Sequence, residues 1–183
     1  MRRLVLILLV SGLALPAAAL AVRDLPGDGT LVVDNARGIV TVRARGGIIG
    51  RFDSGRVVIT DPVEGDGGIP SVYGAERISV LGPHTTLYIG EDVRFRLIGG
   101  AYRVTVNGVG VDVSAVGRGS VVLDGSGFAE QPGRYQLNGG PWQPMPDTST
   151  SLALVRGSSA PGQGQQGQDK DKEKPQVPGG QHG

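Results

Sequence analysis

Between residues 22 and 156, apolar side chains recur at every second position in short runs, such as TLVVD, GIVTVRA, GRVVITD, RISVLG, RFRLI, YRVTV and SVVLD, separated by Gly, Asn-Gly and Gly-Gly. A period of two sends alternate side chains to opposite faces, so each run reads as a strand with one face buried and one wet. Valine, isoleucine, threonine and tyrosine suit such a pleated, half-buried surface. The chain's 32 glycines supply joints where the backbone can turn without a side-chain penalty. No helical period competes after the first 21 residues. These features predict an all-β protein, an antiparallel two-sheet sandwich built of short hairpin strands, with a β-solenoid as the alternative.

Two internal spacings bear on that choice. Val40 to Ile59 aligns without gaps on Val104 to Leu123, 64 residues later, matching Val40, Thr41, Val42, Gly46, Gly55, Val57 and Val58 to Val104, Thr105, Val106, Gly110, Gly119, Val121 and Val122. A duplication of this kind predicts two similar β-units packed together. A spacing of 17 links LYI at 87, VTV at 104 and VVL at 121, and also VTV at 40 with VVI at 57. Coils of that length keep the solenoid open.

Residues 94–113 discriminate between the two. If Gly99-Gly100 is a two-residue turn, Leu97 faces Tyr102, Arg96 faces Arg103 and Phe95 faces Val104; if Asn107-Gly108 is the next turn, Arg103 faces Asp112. Phe95, Leu97, Tyr102, Val104, Val106, Val109, Val111 and Val113 then share one face, as a half-buried meander requires. The other face carries Arg96, Arg103 and Asp112, with Arg94 alongside. Asp112 neutralises one arginine. Arg94, Arg96 and Arg103 are therefore the candidate anion-binding residues, their planar guanidinium forks suited to phosphate or carboxylate groups of an envelope polymer.

The chain opens with MRRLVLILLVSGLALPAAALA, a basic start, an apolar run and an Ala-Leu-Ala end. This predicts a secretory signal peptide over 1–21 cleaved after Ala21, with an uncleaved membrane anchor as the competing reading. No membrane span is expected after cleavage. Residues 22–156 form the expected all-β globular domain. From Gly157 the composition turns to Gly, Gln, Pro and alternating Asp and Lys, so 157–183 is expected to be a disordered tail. The 18 Lys and Arg stand against 17 Asp and Glu, and two of the cations are Arg2 and Arg3 of the leader. Near neutrality argues against nucleic acid as a partner. There is no cysteine, so an exported domain must hold itself together by its core, without disulfides or thiolate metal sites.

Catalytic patterns are sparse. His84 is the one histidine before the tail, no Gly-x-Ser-x-Gly elbow exists, and LGPHTTL reads as a turn leading into a strand. Asp112 with Asp124, or Asp53 with Asp61, are conceivable carboxylate pairs for glycoside hydrolysis, although aspartates are also the usual residues of turns. DPVEGDGG at 61–68 and DGSGFAE at 124–130 offer oxygen ligands to calcium without EF-hand spacing. Trp142, between prolines, is expected to cover an open sheet end. No cofactor and no metal are expected, and the chain is read as a non-enzyme. The partner is left open between an envelope polymer and a protein.

GRFDSGRVVITDP and RFRLIGGAYRVTVNGVGVDVSAVGRGSVVLDG resemble segments of secreted actinobacterial proteins of unknown function. The likeness spans most of residues 28–137. It implies export and a shared β-domain, and brings with it no activity and no binding residues.

Overall fold

The computed structural model describes residues 27–125 and 132–157. The leader at 1–21, the tail beyond residue 157 and most of the 124–130 loop lie outside the described residues. Eight strands run in the order β1 (Gly29–Thr60), β2 (Ser71–Tyr73), β3 (Arg77–Gly82), β4 (Thr85–Leu97), β5 (Ala101–Asp124), β6 (Arg134–Leu137), β7 (Gln143–Pro144) and β8 (Thr150–Leu154). The fold is all-β, its ladders are antiparallel, and the sheet does not close on itself. A solenoid would stack parallel coils, so that alternative falls.

The strands are not short hairpin strands. β1 has 32 residues, β5 24 and β4 13. β4 and β5 do not pair across Gly99-Gly100, because β1 lies between them: Leu97 bonds to Ile48 and Ala101 to Arg45. Nor does the chain reverse at Asn107-Gly108. A type I′ turn needs positive φ at both central residues; neither has it, and the positive value falls on Gly110 (64°). At this point glycine bends a continuing strand instead of ending it.

The pairings resolve into two runs of segments. One runs β7, β6, 29–36, 111–117, 46–52, 93–97 and β2. The other runs β8, 117–124, 38–46, 101–109, 54–60, 85–91 and β3. β1 therefore visits the two runs alternately, four segments in all, and β4 and β5 cross between the same runs. The crossings fall where backbones touch. Gly46 lies opposite Gly117, and a Cβ on Gly46 would sit 2.1 Å from the Val116 carbonyl oxygen while one on Gly117 would sit 2.2 Å from that of Arg45. Only glycine fits such an approach.

Both sequence spacings have a structural meaning. Thr41 faces Thr105, 64 residues on, with their hydroxyls 3.2 Å apart, and Val40 and Val42 face Val106 and Val104. A local two-fold axis therefore passes between the two threonines. The spacing of 17 is the shift between the two ladders of β1 with β5. Val42 lies between Val104 and Val121, and Val104 between Val42 and Ile59. VVL at 121, VTV at 40, VTV at 104, VVI at 57 and LYI at 87 thus lie side by side as neighbours in one run. Their inward members, including Val40, Val42, Val57, Val104, Val106, Val121 and Leu123, join Leu31, Ile48, Phe52 and Leu97 in a single apolar core with no buried polar or charged residue among those described.

Candidate functional site

Alternation places Arg94, Arg96 and Arg103 on wet faces, and all three are exposed. The structure does not bring them together. Arg94 and Arg96 share a face of β4 in the first run, where Arg94 lies opposite Arg51 and Tyr73, and Arg96 opposite Ile49 and Ser71. Arg103 belongs to the second run and lies opposite Arg43 and Thr60. The residue that faces Arg103 is thus Arg43 in place of Arg96. The repeat held the signal for it, since setting the two VTV segments antiparallel about Thr41 and Thr105 puts Arg43 across from Arg103.

Asp112 also has a different partner from the one the hairpins imply. Its Oδ2 accepts from Arg51 Nε at 2.7 Å, and its Oδ1 accepts from the Asn35 N–H at 2.7 Å. The hydrogen bond and charge of Asp112 raise the pKa of the Arg51 guanidinium above its ordinary value. On the same wet face Arg134 Nε donates to Asp34 at 2.7 Å, with the Trp142 ring 4.6 Å from the guanidinium carbon. Trp142, from the segment leading into β7, therefore packs on Arg134 of β6 in a cation–π contact.

The outer face of the second run is more cationic. Arg45 faces Arg118, and two residues along β1, on the same face, Arg43 faces Arg103. The first pair has acids at hand: Arg45 Nη2 lies 2.8 Å from Asp66 Oδ2, and Arg118 Nε lies 4.0 Å from Asp28 Oδ1. Asp66 Oδ1 in turn accepts from the Ala101 N–H at 3.2 Å, which seats the 61–70 loop on the start of β5. That loop is held a second time by the Tyr102 hydroxyl, which donates to the Gly68 carbonyl. Burial, followed by the charges of Asp61 and Asp66, raises the Tyr102 pKa. The second pair has no carboxylate among the described residues. It is flanked by hydroxyls instead. Ser120 lies across from Arg43, and Thr60 across from Arg103, with Thr60 and Thr85 hydroxyls 3.2 Å apart.

The other candidate chemistries are dispersed. Both oxygens of Asp112 are occupied, and Asp124 stands in the other run, across from Ile39. Asp61 accepts from the Val63 N–H at 3.3 Å in a local turn, and Glu64 lies 3.2 Å from His84 Nδ1. His84 sits just before β4 with φ at 63°, in the turn expected of it. Among the described residues no group of three His, Cys, Asp or Glu side chains converges on a metal position, and no helix is long and apolar enough to cross a membrane. An open groove of about 500 Å³ lies at the Gly55–Gly90 corner beside Arg56, Glu76, Glu91 and Asn107.

Compared with protein-family models, with curated proteins and with solved structures, the chain matches none.

Proposed function

We propose that the chain is an exported, non-enzymatic β-sandwich that serves as a structural module at the cell envelope and joins to a second copy of itself along β3. The leader-like residues 1–21 support export. The sandwich reading takes the two runs as two layers around the shared core, with strands changing layer at glycine bends.

The observation that carries the reading is the state of β3. On the core side of the second run one row passes from Val57 through Tyr88 to Ile78, and the next from Ile59 through Thr86 to Val80. Val57 and Ile59 are buried, Tyr88 is half-buried, and Ile78 and Val80 are 62% and 78% exposed. The apolar face thus continues past its cover to a strand paired on one side only. Such edges template further pairing.

A second copy fits this edge by sequence and by charge. An antiparallel β3–β3 pair centred on Ser79 sets Ile78 against Val80 of the other copy twice over, and extends each apolar row into its counterpart. Arg77, the one charged residue of β3, faces Leu81, so the two arginines stand at opposite ends. Sedimentation equilibrium tests the reading. The wild-type chain is expected to dimerise with concentration, and Val80→Lys to remain monomeric with a thermal midpoint equal to that of the wild type at dilutions where it too is monomeric. A wild-type chain that stays monomeric at millimolar concentration removes it.

A further inference from the structure

We infer that the outer face of the 38–46 and 101–109 pair is a phosphate-binding site, built on Arg43 and Arg103, for a linear phosphate polymer without bases. The inference does not depend on self-association through β3.

Two arginines directly opposite in an antiparallel pair repel, and a sheet that tolerates them normally supplies an acid. This sheet does so elsewhere, with Asp112 for Arg51, Asp34 for Arg134, Asp66 for Arg45 and Asp28 near Arg118. Among the described residues Arg43 and Arg103 have hydroxyl neighbours in place of an acid: Ser120 and Thr60 in their own row, Thr41 and Thr105 in the next. Guanidinium forks with hydroxyls at their flanks are complementary to a tetrahedral oxyanion, which takes two or three donors at once. The side chains rise from strands about 4.8 Å apart, and the Arg45–Arg118 row lies about 6.8 Å further along the strands. The site is flat and open, so one free phosphate gains little from it. A chain whose successive phosphates reach Arg43, Arg103 and the flanking hydroxyls gains from each contact. Single-stranded nucleic acid would also want stacking rings, and these rows carry none. The site therefore favours a phosphate polymer without bases.

The test is titration of the full chain, at low and moderate salt, with a synthetic polyglycerol phosphate, with inorganic phosphate and with an oligonucleotide of equal charge. Arg43→Ala with Arg103→Ala is expected to weaken polyglycerol phosphate binding roughly tenfold or more, and to reduce the slope of log affinity against log salt by about 1 per arginine. Arg94→Ala with Arg96→Ala is expected to change neither. Equal losses in both double variants, or none in the first, overturn the site. Inorganic phosphate binding as tightly as the polymer, or the oligonucleotide binding more tightly, overturns the polymer as its ligand. Dimer formation, followed in the same samples, reports on β3 separately.

Discussion

The two wet faces of the molecule solve the same electrostatic problem differently. In the first run Arg51 has a bridging carboxylate, Asp112, which also ties down the Asn35 N–H, and Arg134 has Asp34 beneath a tryptophan. In the second run Arg43 and Arg103 confront each other with hydroxyls at their flanks. In the first run Arg51 and Arg134 are bridged and their charges contribute to the fold, while Arg94 and Arg96 on the same face have no carboxylate bridge among the described residues. In the second run the directly facing pair Arg43 and Arg103 has no carboxylate bridge among the described residues, which costs stability, and a pair that bears such a cost is where a ligand is to be sought.

The largest effect on this contrast is expected at the corner that creates it. β1 carries Arg43 in one run and Arg51 in the other because it crosses at Gly46. Gly46→Ala would place Cβ 2.1 Å from the Val116 carbonyl oxygen, against backbone that Gly117 already holds close, at a φ of 153°. The expected loss is about 3 kcal/mol or more, read by denaturant unfolding. A loss below 1 kcal/mol would mean that the corner relaxes freely and does not enforce the separation of the faces.

How much of this was legible follows from what alternation can encode. The face of each residue was. Phe95, Leu97, Tyr102, Val104, Val106, Val111 and Val113 are buried and Arg94, Arg96 and Arg103 exposed; Val109, expected among the inward set, is half-buried. The partner strand was not, because a period of two fixes which side a residue points to and leaves open what lies beside it. Glycine adds to the ambiguity, since Asn107-Gly108 fits a reversal and a bend equally well until the long-range pairing chooses. The spacings of 64 and 17 did encode the pairing, and Arg43 was within reach through Thr41 and Thr105. The Asp112–Arg51 contact lay further off. It depends on both crossings of β1, which nothing local in GRFDSG announces.

Removing the compensation on the first face is the next largest effect. Asp112→Ala deprives Arg51 and the Asn35 N–H of their shared acceptor, and the expected cost is about 1–2 kcal/mol in thermal unfolding. The Asp112 and Arg51 side chains are partly exposed, so solvent screens the charge component and the lower end is the better guide. A double-mutant cycle with Arg51→Ala should show coupling; additivity would mean that the matched face is matched in appearance only.

Tyr102 joins the two kinds of arginine on the second face. It points inward beside outward Arg103, and its hydroxyl holds the loop whose Asp66 neutralises Arg45. Tyr102→Phe is expected to cost about 1 kcal/mol and to free Arg45 to act with Arg43 and Arg103, strengthening polyanion binding. The pH dependence has a definite sign. The folded pKa lies above the ordinary tyrosine value of 10.0, so the protonated hydroxyl favours the folded state; that contribution is complete below pH 10 and is lost as pH rises through the raised value. Tyr102→Phe should therefore flatten part of the alkaline limb of a stability profile. Burial raises the Tyr135 pKa as well, and it adds a contribution of the same sign.

The smallest expected effect has the opposite sign. Arg43→Thr removes one of two facing like charges and replaces it with a strand-favouring residue beside Ser120 and Arg103. In the absence of polyanion the variant should gain a few tenths to about 1 kcal/mol, and the gain should fade at high salt. The same substitution should weaken binding of polyglycerol phosphate. Stability and binding thus move in opposite directions at one residue, which is what a ligand site held at the expense of the fold requires. If Arg43→Thr instead destabilised the chain, as removal of a matched arginine such as Arg51 should, then Arg43 would be compensated after all, and the two faces would differ in geometry without differing in kind.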